Sequence, residues 1–101
     1  MHVEHGKVAG PLTITYDYEM HGIVEGNAIV ARGGFLHLFG IVTGDLVVQK
    51  GASADVRGTV SQNLFNAGNL EVHGIVVGRL TSTPKASTTI APGAVITGRT
   101  H

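Results

Sequence analysis

Even-numbered residues carry the hydrophobic signal of this chain. From Gly6 to Leu80 every even position is apolar or glycine except Arg32, Lys50, Gln62 and Asn66, whereas most odd positions in the same stretch are not. A period of two predicts β-structure, because successive side chains of a strand point to opposite faces. One unbroken strand of about 75 residues would run to roughly 250 Å, so the chain has to bend. It has to bend without exchanging inside for outside, and hairpin turns usually reset the phase of the alternation. The pattern therefore predicts an all-β fold, a single-stranded β-helix or β-solenoid, with no amphipathic helix.

A recurring phrase sets the coil length: His5-Gly6-Lys7-Val8, His21-Gly22-Ile23-Val24, Phe39-Gly40-Ile41-Val42, Arg57-Gly58-Thr59-Val60 and His73-Gly74-Ile75-Val76. The glycines are 16, 18, 18 and 16 residues apart, and a second glycine follows at Gly10, Gly26, Gly44 and Gly78, with Gln62 breaking the rule. A fixed period of this length marks a solenoid in which each unit is one layer. Within the central units apolar residues also recur every six, at Val24, Val30, Leu36, Val42, Val48, Ala54 and Val60, so three sixes make a layer of triangular cross-section. Small residues at Ala28, Gly34, Gly40, Ala52 and Gly58 fall where tight corners leave little room for a Cβ.

The 16-residue units are read as omitting two residues at one corner, since an even deletion preserves the parity of the interior. Residues 1–101 form one domain, with coils at about 6–21, 22–39, 40–57, 58–73 and 74–97. In the last coil residues 81–89 read as a loop of about six extra residues, and Gly98 opens a sixth phrase. Five layers roughly 4.8 Å apart stand about 24 Å tall, and the first and last present unpaired backbone edges.

Outward positions are more telling than buried ones. Ile23, Ile41 and Ile75 fall in one column, interrupted by Thr59, and Ile29, Val47 and Phe65 in another, with Phe35 and Phe39 adding aromatic surface nearby. β-Branched residues stabilise any strand. Two adjacent apolar stripes are also expected to form a patch for a protein partner or a second copy of the chain. Arg32 and Lys50 are even-numbered but 18 residues apart, which places both at the same solvent-facing corner of successive layers.

Composition narrows the function. Lys plus Arg number 7 and Asp plus Glu number 7, a balance that gives no electrostatic footprint for nucleic acid and no polybasic membrane anchor. The chain has no cysteine, hence no disulfide or thiolate metal site. No segment reaches the length of a membrane-spanning helix, and Met1-His2-Val3-Glu4-His5-Gly6 lacks the layout of a secretory signal, so a cytoplasmic location is the expectation.

His5 and His21 fall on adjacent layers and His73 three layers beyond His21, so the three do not converge on one ion, and no metal or cofactor site is predicted. There is no nucleophile elbow, no HExxH and no glycine loop opening a helix, and Glu25, Asp45, Asp55 and Glu71 read as scattered, so no catalytic residue is assigned and the chain is read as non-enzymatic.

The glycine phrases, together with Ala91-Pro92-Gly93-Ala94-Val95-Ile96-Thr97-Gly98, resemble the bactofilin-type polymer-forming β-helices. That resemblance implies a right-handed triangular helix joining end to end into cytoskeletal filaments, with membrane attachment through a short N-terminal segment. This chain departs from the pattern in its brevity, in lacking such a segment, and in Gln62, Asn63 and Asn66 of the fourth coil. The six-residue series also resembles the left-handed hexapeptide helices of acyltransferases and γ-type carbonic anhydrases, in winding only. The expectation is a self-associating scaffold assembling through its coil ends and outward stripes, partnered by itself or by another protein. The alternative is a protein-binding inhibitor such as an immunity protein that covers a toxin.

Overall fold

A computed structural model describes residues 2–97 of the chain. Gly98 and the sixth phrase it was expected to open lie outside the described residues. Five complete coils of three strands follow one another: β1 (His2–Glu4), β2 (Lys7–Ala9) and β3 (Leu12–Ile14); β4 (Asp17–Met20), β5 (Ile23–Glu25) and β6 (Ala28–Val30); β7 (Phe35–Leu38), β8 (Ile41–Val42) and β9 (Leu46–Val48); β10 (Ser53–Val56), β11 (Thr59–Val60) and β12 (Leu64–Asn66); β13 (Asn69–Val72), β14 (Ile75–Val76) and β15 (Leu80–Ser82). Two strands of a sixth coil, β16 (Ser87–Ile90) and β17 (Val95–Ile96), complete the described body, which contains no helix.

The first strands of the coils form one six-stranded sheet, the second strands another, and the third strands a five-stranded sheet. Every pairing is parallel and joins a strand to its counterpart one coil away. The chain is thus a three-faced β-solenoid, as the alternation predicts. Val8, Val24, Val42, Val60 and Val76 stack in register up the interior of the second sheet. Leu36, Leu38, Leu46, Leu64, Met20 and Ile14 fill the space between the sheets and are sealed from solvent. This dry core is the main stabilising term.

Each corner has its own chemistry. At the first, between the first and second sheets, Gly6, Gly22, Gly40, Gly58 and Gly74 stack, and a Cβ on any of the last four would come closer than 3.0 Å to backbone of the preceding glycine. The recurring phrase is therefore a requirement for close approach of successive coils. At the second corner side-chain oxygens hold the backbone of the next coil: Asp45 N–H donates to Asn27 Oδ1 at 2.8 Å, Asn63 N–H to Asp45 Oδ1 at 3.0 Å, and Arg79 N–H to Asn63 Oδ1 at 2.9 Å.

The third corner, which leads into the next coil, varies in length. It is two residues at 15–16 and 67–68 and four at 31–34, 49–52 and 83–86. This is the single corner at which the 16-residue units were expected to lose a residue pair. The expected loop at 81–89 is corrected: Thr81 and Ser82 lie in β15 and residues 87–89 in β16, because Leu64, Phe65 and Asn66 template β15 while Asn69 to Val72 template β16. The extra residues of the last coil fall instead at 91–94, a first corner four residues long.

Polar groups sit at both ends of the core. Asn66 is fully buried in the column of Val48, with its amide nitrogen donating to Ser87 O at 3.0 Å and Thr88 Oγ1 at 2.9 Å. Its Oδ1 accepts from Gly68 N–H at 2.9 Å, and Ser82 Oγ lies 2.7 Å from Thr88 Oγ1. Asn66 does not disturb the fourth coil, as its polarity suggested; it ties that coil's short third corner to the sixth. At the other end Glu4 takes the column of Met20, and its carboxylate accepts from Gly6 N–H at 3.1 Å.

Candidate interaction surfaces

The outward residues singled out by sequence form three groups rather than one patch. Ile23, Ile41 and Ile75 stand in register on the second sheet with Thr59 between, and Val95 extends the column. Ile41 is 38% exposed, Ile75 43%, Val77 48% and Val95 52%. Phe39 joins this group from the first corner, lining with Ile23 and Ile41 a shallow groove floored by Gly6, Gly22 and Gly40. Ile29, Val47 and Phe65 stand in register on the third sheet, across the polar second corner. Phe35 lies on the first sheet, stacked on His37 with ring centroids 4.3 Å apart. One flat partner cannot cover two faces of a three-sided body, so the two stripes are separate surfaces.

Rings stack along the first corner as well. His5 lies on His21 at 4.9 Å and His21 on Phe39 at 4.7 Å between centroids, one coil per ring. Among the described residues no group of three or more His, Cys, Asp or Glu is placed to hold a metal ion.

The acids are less scattered than they read in sequence. Glu19, His37, Asp55 and Glu71 stand in register on the first sheet. Three of them are each paired with a residue two further on, at the first corner: Glu19 Oε1 with His21 Nε2, Asp55 Oδ2 with Arg57 Nε at 3.0 Å, and Glu71 Oε1 with His73 Nε2 at 2.8 Å. Asp55 Oδ1 is buried without a hydrogen-bond partner and faces His73 Nε2 at 3.9 Å. The spacing Glu-x-His, Asp-x-Arg, Glu-x-His was the sequence signal for this column. Of the remaining acids, Glu25 pairs with Lys7 at 3.4 Å and Asp45 belongs to the second-corner ladder. The pairs are surface or half-buried contacts of about 0–1 kcal/mol each, which zip neighbouring side chains together.

Burial, aided by Glu4 and Tyr16, raises the Tyr18 hydroxyl above its ordinary 10.0. No helix of the described residues is long and apolar enough to cross a membrane. No family model matches the chain, and no curated protein or solved structure matches it either.

Proposed function

We propose that this chain is a non-enzymatic scaffold of the bactofilin-like kind that associates with copies of itself through the ends of its coil stack. The observation that carries the reading is the pair of ladder edges. Among the described residues no strand pairs with the outer side of β1, β2 and β3, nor with that of β15, β16 and β17. Apolar residues at the two rims, Val8 and Leu12 at one end and Ile90, Ala94 and Ile96 at the other, are only partly buried.

The first coil offers three strands of three residues each. About nine new ladder bonds at roughly 0.5–1.5 kcal/mol net would contribute about 5–13 kcal/mol. Loss of translational and rotational freedom costs about 4–15 kcal/mol. The two terms are of similar size, so burial of the apolar rims decides the sign. Apolar patches on the surface of a monomer usually cover about 300–600 Å², short of the about 800 Å² per partner of a stable interface. The ends are therefore the stronger surface, with the stripes in support.

The test is Thr13→Pro in β3. Leu12 N–H donates to Asn27 O and Ile14 O accepts from Ala31 N–H, so by the alternation of a parallel ladder the Thr13 N–H faces the outer edge. Electron microscopy and light scattering should show concentration-dependent filaments or high-mass species for the parent chain and shorter or no assemblies for the variant. Assemblies that survive Thr13→Pro but vanish when Ile29, Val47 and Phe65 are made polar would transfer the role to the stripes. A parent chain that stays small at every concentration sinks the scaffold reading and favours the inhibitor, for which the exposed column on the second sheet is the fitting surface.

A further inference from the structure

Three cations with no ion-pair partner among the described residues share the third corner. Arg32 and Lys50 lie on its second-coil and third-coil turns, Lys85 lies on its fifth-coil turn, and all three are exposed. Among the described residues none of them forms an ion pair, and no Asp or Glu occurs in any segment of this corner. Arg32 is also held toward its like-charged neighbour. Its aliphatic stem crosses the Lys50 turn at Gly51, where a Cβ would stand 2.8 Å from Arg32 Cγ, and Gly33 N–H donates to Gly51 O at 3.1 Å. Cations about one coil apart, roughly 4.8 Å along the stack, repel each other until an anion arrives.

The varying length of this corner adds a recess. The two-residue turn at 67–68 sits back between the four-residue turns before and after it, leaving a notch of about 390 Å³ lined by Lys50, Ala67, Thr83, Pro84 and Lys85. The methyl of Ala67, the ring of Pro84 and the lysine stems supply apolar wall, and Lys50 and Lys85 are exposed, as suits side chains that bury their stems and keep their ammonium groups in water. A second depression, of about 520 Å³, is lined by Arg32, Lys50 and Gly51, so Lys50 borders both.

We propose that the third corner docks an acidic segment of a different protein, with one apolar side chain in the notch and flanking carboxylates on Lys50, Lys85 and Arg32. Charge complementarity selects this occupant. A second copy presenting the same corner would oppose cation to cation, and the acidic column of the first sheet is already engaged by His21, Arg57 and His73. A flat anionic surface does not enter a recess between turns. The inference stands apart from the scaffold reading, because it needs neither coil end.

The probe is the peptide acetyl-Glu-Asp-Phe-Asp-Glu-amide, titrated at low salt into the ¹⁵N-labelled full chain. Saturable amide shifts are expected at Lys50, Ala67 and Lys85. A control peptide with serine in place of phenylalanine should bind about tenfold more weakly, as should the parent peptide to Lys50→Gln combined with Lys85→Gln. Ala67→Leu fills the notch at unchanged charge and should weaken binding about as much, with an unchanged circular dichroism spectrum. Equal affinity for the serine peptide, or full affinity in Ala67→Leu, would overturn the notch in favour of bare charge. Sedimentation with phosphatidylserine vesicles in the absence of peptide binding would overturn it in favour of a membrane surface, and no saturable shift at all would overturn it outright.

Discussion

Asn66→Val sets pattern against structure. By alternation and by column the residue belongs with Val30 and Val48, so valine is the choice a repeat-based design would make. The structure predicts the opposite outcome. Asn66 makes three hydrogen bonds, to Gly68 N, Ser87 O and Thr88 Oγ1, at 2.9–3.0 Å and with no solvent exposure. Three bonds at roughly 0.5–1.5 kcal/mol net give about 1.5–4.5 kcal/mol, and Gly68 N–H loses its acceptor in a half-buried turn. Two added methyl groups return about 1.6 kcal/mol of apolar burial. The net loss is about 2 kcal/mol, which for a domain of this size lowers Tm by roughly 8–16 °C. Thermal unfolding followed by circular dichroism on dilute protein measures it. A Tm equal to or above that of the parent would refute the claim that these bonds outweigh the hydrophobic pattern.

Two further substitutions test the corners and the core. Gly40→Ala drives a Cβ into the backbone of Gly22 and should destabilise by about 3 kcal/mol, whereas Gly93→Ala, with nothing within 4 Å, should stay within about 0.5 kcal/mol of the parent by the same unfolding assay. Because the Tyr18 hydroxyl holds its proton more tightly folded than unfolded, its contribution is fully present below the unfolded value of 10.0 and is lost as pH rises through the higher folded value. Tyr18→Phe should flatten the alkaline limb of a stability profile measured by urea unfolding, and an unchanged limb would assign it elsewhere.

Much of the fold was legible because its rule is arithmetic. The even parity fixed the lining, the 16- and 18-residue intervals fixed which residues stack, and the loss of a residue pair at some one corner followed from the need to keep parity, while only the structure places it at the third. Within 81–89 the turn at 83–86 is where a loop was expected, but Thr81, Ser82 and residues 87–89 were misread because their Ser and Thr content resembles a loop, while their strand character comes from a finished coil beneath them that supplies the ladder. Asn66 looked like a flaw because its partners lie 21 and 22 residues on, a distance at which sequence shows the type of a neighbour but not its direction. The acidic column and the Asn27–Asp45–Asn63 ladder were in plain view as 16- and 18-residue spacings, and were missed because apolar repeats drew the alignment. The division of the stripes between two faces depends on where corners fall, which alternation alone leaves open.

Changing a corner by an even number of residues leaves every inward position inward, so each outward column is free to take its own chemistry. Among the described residues the first sheet carries paired acids and cations, the second an aliphatic column, and the third corner cations outside any ion pair. Segregation of this kind costs little in a solenoid, because an outward side chain meets chiefly its counterparts one coil away. It also ties the two proposals together without making either depend on the other. In a chain that stacks end to end the third corner of each copy would come round at a regular interval, and a partner with several acidic segments would bind by avidity rather than by any single notch. In a chain that does not stack, the same corner is limited to the affinity of one notch and three charges.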